Sequence, residues 1–157
     1  MIRTDIEYQK TAEQLKQSEE FFRQERAALA AKGRTPAEIK RLTDPTFTFQ
    51  EQLREELESY ERLHKGDFDE LKNFQGVGRL LIALRIYQGL SQRELADKLG
   101  VHESRVSRDE RNEYHGLTVE RANRILEALG AELRTNIVTT PHNKANTPPV
   151  ESVLFGS

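Results

Sequence analysis

The chain has 157 residues, 36% of them hydrophobic and 32% charged, with a formal net charge of −2 and no cysteine. Disulfides and thiolate metal sites are thereby excluded. A charged share above the roughly 25% usual for soluble domains predicts long solvated helices around a modest core. No apolar run approaches the roughly 18 residues needed to cross a bilayer. MIRTDIEYQK lacks the apolar core of a signal peptide, so a cytoplasmic protein without membrane contact is expected. The length suits one domain, or a small domain with an accessory element. Charge is uneven along it. Residues 1–75 hold 13 Lys and Arg against 16 Asp and Glu, residues 76–135 hold 10 against 9, and residues 136–157 one of each.

From about Thr4 to Lys32 the sequence reads as one long helix. Tyr8, Leu15, Phe22 and Leu29 recur every seven residues, with Ala12, Phe21 and Ala28 widening the stripe. Gly33 ends it. Thr35-Pro36-Ala37-Glu38 combines a cap, a proline at the first helical position and a glutamate to close a capping box. A short helix is expected there, interrupted at Asp44-Pro45. A second long helix is expected from about Thr48 to Lys65, with Phe49, Leu53, Leu57, Tyr60 and Leu63 as its stripe. Together these segments suit an antiparallel hairpin or a dimerising coiled coil. Gly66-Asp67-Phe68-Asp69 reads as a joint. Gly76-Val77-Gly78 reads as a plain hinge, because no strand precedes it and the third glycine of a dinucleotide fingerprint is missing.

From Val77 the pattern becomes compact. Leu80, Leu81, Ala83, Leu84 and Tyr87 mark a helix ending near Gly89. Ser91 caps Gln92 to Leu99, with Glu94 completing a capping box, and Gly100 supplies a turn of positive φ. A helix from His102 to about Asn112 follows, then the loop Glu113-Tyr114-His115-Gly116-Leu117. Thr118 caps a helix from Val119 to Leu129 that Gly130 ends. Leu133, Ile137 and Val138 are β-tolerant and leave room for a short strand within 131–140. The tail after Pro141 is polar and expected to be flexible, with Val153-Leu154-Phe155 as a candidate docking peptide.

The stretch from about Leu80 to Leu129 resembles the Xre-type, lambda-repressor-like helix-turn-helix family. The resemblance rests on Arg85, the run GLSQRELADKLGV, Val106, Glu110 and a Gly-containing loop before ANRILEALG. It covers about a third of the chain and implies an all-α architecture: a helical arm (1–68), a compact four- to five-helix helix-turn-helix domain (69–135) and a flexible tail (136–157). Small Ala96 suits the crossing of two helices. Leu95, Leu99, Val101 and Val106 suit their internal contacts. The resemblance pairs Arg85 with Glu110 as a structural ion pair. Asp109 departs from the family pattern, which has an apolar residue there. Either the following helix leaves the position open, or Asp109 pairs with Arg105, Arg111, Arg121 or Arg124.

The resemblance also implies double-stranded DNA as partner. Glu103, Ser104, Arg105 and Arg108 fall where bases are read. Arginine matches the guanine edge, and Glu103 can only accept, so it favours a cytosine amino group or excludes wrong bases. Gln92, with Arg93 beside it, falls where phosphate is met at a helix N-terminus. Gly116 and Thr118 can offer groups to the next phosphate. One helix-turn-helix reads a half-site, so a homodimer is expected. A regulator, most simply a repressor, follows. The alternatives are an antitoxin that binds a cognate toxin and represses its own operon, and a protein-interaction module without DNA binding. The histidines at 64, 102, 115 and 142 lie in separate elements without metal-ligand spacing, and Ser91 is accounted for as a cap. Neither an enzyme nor a cofactor is expected.

Overall fold

The computed structural model describes residues 1–138; the expectations for the tail, Val153-Leu154-Phe155 included, lie outside the described residues. Six helices follow in order: α1 (Asp5–Ala31), α2 (Pro36–His64), α3 (Val77–Tyr87), α4 (Gln92–Leu99), α5 (Glu103–Arg111) and α6 (Val119–Ala128). The fold is all-helical among the described residues. The segment 131–138, where a short strand had room, is irregular. A lone extended segment has no strand to pair with in this bundle. Leu133 packs partly on the core while Ile137 and Val138 stay exposed.

Helices α1 and α2 form an antiparallel hairpin. Tyr8 stacks on Tyr60 at the base, with ring centroids 5.4 Å apart, and Phe22 meets Phe47 towards the tip. The seven-residue recurrence of Tyr8, Leu15, Phe22 and Leu29 is thus consumed inside the chain. Phe21 and Ala28 do not widen that stripe; both lie exposed.

The expected break at Asp44-Pro45 does not occur, and α2 runs unbroken from Pro36 to His64. Proline costs a helix interior about 3 kcal/mol through its missing N–H and its ring. Packing on both sides offsets this. Ile39 and Thr43 precede the proline on the seam with α1, and Gln50, Leu53 and Tyr60 follow it, all buried. Locally, the Thr43 hydroxyl donates to the Ile39 carbonyl at 2.9 Å, and Thr48 to that of Asp44 at 3.0 Å. The seam also corrects the expected stripe: Phe49 is exposed, and Gln50 takes the inward position, donating to Ser18 Oγ at 3.3 Å.

The compact half packs α3 and α4 each against α5 and α6. Leu81, Ile82, Ile86, Leu95, Val106 and Ile125 are its most deeply buried large apolar side chains. Tyr87, expected on the inner face of α3, is largely exposed, and its ring edge meets Phe68 of the α2–α3 link. The hairpin is not a detached appendage. Ile2 and Tyr60 belong to the same buried cluster as Leu81, Ile86 and Leu95.

Gly76 caps α3 with φ of +84°. Gly78 does a different job from the expected hinge. It lies inside α3, where an added Cβ would come within 2.0 Å of the Glu113 carbonyl oxygen. The glycine therefore lets the loop after α5 rest on the α3 backbone, with Tyr114 buried beside it. Gly78→Ala should destabilise the protein by about 2–3 kcal/mol through overpacking against backbone that cannot move aside. Gly89→Ala, with open space around its Cβ but φ of +66°, should cost only about 1 kcal/mol. Urea denaturation of the two variants checks the contrast.

Candidate nucleic-acid interface

Each end of the α4-turn-α5 unit is set by local chemistry. Ser91 Oγ accepts from the Glu94 N–H at 3.1 Å while the Glu94 carboxylate accepts from the Ser91 N–H at 2.7 Å, so both orphan donors are satisfied. Gly100 turns the chain with φ of +66°. His102 then caps α5, its Nδ1 accepting from the Ser104 N–H at 3.2 Å. Ala96 is buried where the helices meet, and Leu95 and Val106 fill the angle between them.

The orientation of α5 rests on Glu110, which is fully buried. Arg85 of α3 donates to it twice, Nε to Oε1 at 2.5 Å and Nη2 to Oε2 at 2.6 Å. The same guanidinium donates from Nη1 to the Leu90 carbonyl at 2.7 Å and from Nη2 to the Arg3 carbonyl at 2.9 Å. Gln92 Nε2 adds a third donor to Glu110 at 2.8 Å. A buried pair is tolerable when its remaining lone pairs and protons are used in this way. One network thus joins α3, α4, α5 and the first residues of the arm.

Gln92 is therefore placed differently from a free phosphate ligand. Its side chain is half-buried and its amide is engaged inward on Glu110, which leaves one N–H of the amide uncommitted. Arg93, Glu103, Arg105 and Arg108 are exposed beside it, and none of the three arginines forms an ion pair among the described residues. Ser104 is exposed too, its hydroxyl 2.9 Å from His102 Nδ1. Gly116 and Thr118 lie in the loop before α6, and Thr118 lines one cavity with Arg105. Gly116 has φ of +73°, and Thr118 Oγ1 accepts from the Arg121 N–H at 3.2 Å.

Asp109 resolves its four candidate partners in favour of Arg121, with which it is paired across the α5–α6 seam. The seam beside the pair is not closed. A cavity of about 230 Å³ remains between α5 and α6.

Two contributions escaped the sequence reading. Gln92 holds Glu110, and the Arg3 carbonyl completes the Arg85 fork. The first is signalled by Gln92 standing on the face of Leu95, Ala96 and Leu99; the second involves a main-chain atom and leaves no side-chain signature. The start of the arm also borders the α4 N-terminus, since Arg3 and Ile6 line one cleft with Gln92 and Glu103.

Two outcomes follow from this geometry. Alanine at either Arg85 or Glu110 should cost about 3–5 kcal/mol, because the partner is left buried and unpaired. A double-mutant cycle by chemical denaturation should show a coupling above about 2 kcal/mol. The capping box carries a pH signature. The Ser91 N–H, and then its hydroxyl, hold the Glu94 carboxyl below the usual carboxylate range. Its contribution is full above the ordinary glutamate range and is lost as pH falls through the lowered folded value. Melting curves of the native chain and Glu94→Ala should therefore differ most near neutrality and converge in acid.

No helix among the described residues is long and apolar enough to cross a membrane. No curated protein and no solved structure matches the chain. A family profile described as helix-turn-helix matches residues 81–135, the span that runs from the body of α3 through the four-helix unit built around Glu110. Residues 81–135 therefore match a helix-turn-helix domain of the Xre, lambda-repressor-like type, a DNA-binding regulatory family, which supports a DNA-binding regulator in general terms.

Proposed function

We propose that the protein is a sequence-specific repressor that binds double-stranded DNA as a homodimer, one α5 in the major groove of each half-site. The observation that carries this reading is the sorting of charge on α5. Its two late acids turn inward, Glu110 to Arg85 and Asp109 to Arg121. Its arginines at 105 and 108 stay outside without ion pairs among the described residues, and Arg93 of α4 joins them. A chain of net charge −2 thereby presents a basic face at one place. Arg105 and Arg108 read bases, Glu103 and Ser104 sit at the entering end of the helix, and Gln92, Arg93, Gly116 and Thr118 meet phosphates. The domain spans 69–135, with 1–68 as an arm whose acidic balance keeps it off the phosphates.

A second reading adds a protein partner on the arm, a toxin in the antitoxin case. Phe21, Phe47 and Phe49 favour it, all exposed on the tip half of the hairpin.

Base contacts carry sequence information, and phosphate contacts chiefly set affinity and register. On a site selected from a random pool, Arg105→Ala or Arg108→Ala should cost about 1–3 kcal/mol and relax the base choice. Arg93→Ala should weaken selected and random DNA alike and lower the salt slope by about one counterion. Fluorescence titrations at two salt concentrations check this. Equal losses on both DNAs for both α5 arginines would remove them as base readers.

A further inference from the structure

The seam between α5 and α6 is built against its own packing. The family pattern places a hydrophobe at position 109. Here a carboxylate stands there, paired with Arg121, and both groups remain partly accessible, at 23% and 37%. A seam closed by apolar side chains would be dry and filled. This one keeps a cavity of about 230 Å³. Its wall is mixed: Leu99, Val106 and Ile125 form an apolar part, with Val106 and Ile125 almost fully buried, and Tyr114 and Thr118 add polar groups. Its rim carries Arg105 and Arg124, both exposed and neither in an ion pair among the described residues, together with the exposed carboxylate of Glu120.

We infer that this cavity is an effector site for a small carboxylate with an apolar body, about the size of benzoate. The apolar part of the wall takes the body, and the Arg105 and Arg124 guanidinium groups take the carboxylate through charge-assisted hydrogen bonds. The Asp109–Arg121 pair serves as a strut that holds the seam open, and Asp109 repels an anion that enters too deep. The coupling to DNA is direct and rests on the reading of Arg105 as a base contact. An Arg105 side chain turned back over the cavity is withdrawn from the groove. A carboxylate in the seam and a base at Arg105 are then mutually exclusive, and the effector releases DNA by differential affinity for the two states.

Amide chemical-shift mapping on the full-length chain without DNA tests the site itself. Benzoate and cyclohexanecarboxylate at millimolar concentration should move the amides of Val106, Asp109, Arg124 and Ile125 together. The neutral isostere benzamide should bind at least about tenfold more weakly. Arg124→Ala should keep the native melting temperature and its DNA binding without benzoate, and lose benzoate affinity about tenfold or more. Benzoate should in turn weaken binding to the selected DNA site. The site is overturned if neither carboxylate perturbs these amides at tens of millimolar, or if benzamide binds as well as benzoate. The effector role is overturned if benzoate fills the cavity and leaves DNA affinity unchanged. Benzoate binding in a protein that never binds DNA would instead contradict the DNA-binding reading and leave the site standing.

Discussion

The structure depends on one buried ion pair. Glu110 lies in the middle of the compact half with no exposure, and leaving its charge unmatched there would cost several kcal/mol. The fork of Arg85 matches it in two bonds, and Gln92 supplies a third. These bonds are directional, unlike the apolar contacts of Leu95 and Val106 around them. Apolar packing alone would tolerate some rotation of α5 about its axis. A bidentate pair anchored in α3 does not, because a small turn breaks two charge-assisted bonds at once. The outward direction of Arg105 and Arg108 is thus set from the inside, at Glu110.

The same constraint explains how an acidic chain offers a basic face. Its surplus of acids sits in residues 1–75, and the hairpin holds several of them in ion pairs, within a helix as for Glu20 with Arg23 and between helices as for Glu19 with Arg54. On α5 Asp109 and Glu110 are turned inward, while Glu103 and the arginines stay exposed. The arm is coupled to this arrangement, since the Arg3 carbonyl takes one donor of the Arg85 fork and Ile2 and Tyr60 share the core.

Much of this was legible in the sequence where local rules act. The capping boxes at Thr35 and Ser91, the turn at Gly100 and the bounds of α3 to α6 follow from residue types within a few positions of each other. Tertiary packing hid the rest. Pro45 reads as a break because its own cost is local, while the seam that outweighs it comes from α1. Phe49 reads as the seam residue in place of Gln50 because hydrophobicity is a poor guide where a buried amide finds a hydroxyl partner. Gly78 reads as a hinge because nothing in its neighbours announces the Glu113 carbonyl that will rest on it. Of the interface, the resemblance placed Arg85 opposite Glu110, and the position of Asp109 was flagged by its break with the pattern. Its partner could not be chosen among four arginines, because that choice depends on how α6 crosses α5.

The central claim is that the geometry of the Arg85 fork, beyond its charge, orients α5. Amide hydrogen exchange in Arg85→Lys tests it most directly, since lysine keeps the charge and cannot reproduce the bidentate bond. The account predicts that the Val106 to Glu110 amides exchange at least about tenfold faster than in the native chain, while the amides in the middle of α1 and α2 keep their protection. Unchanged protection in α5, or a uniform loss across all six helices, would contradict it.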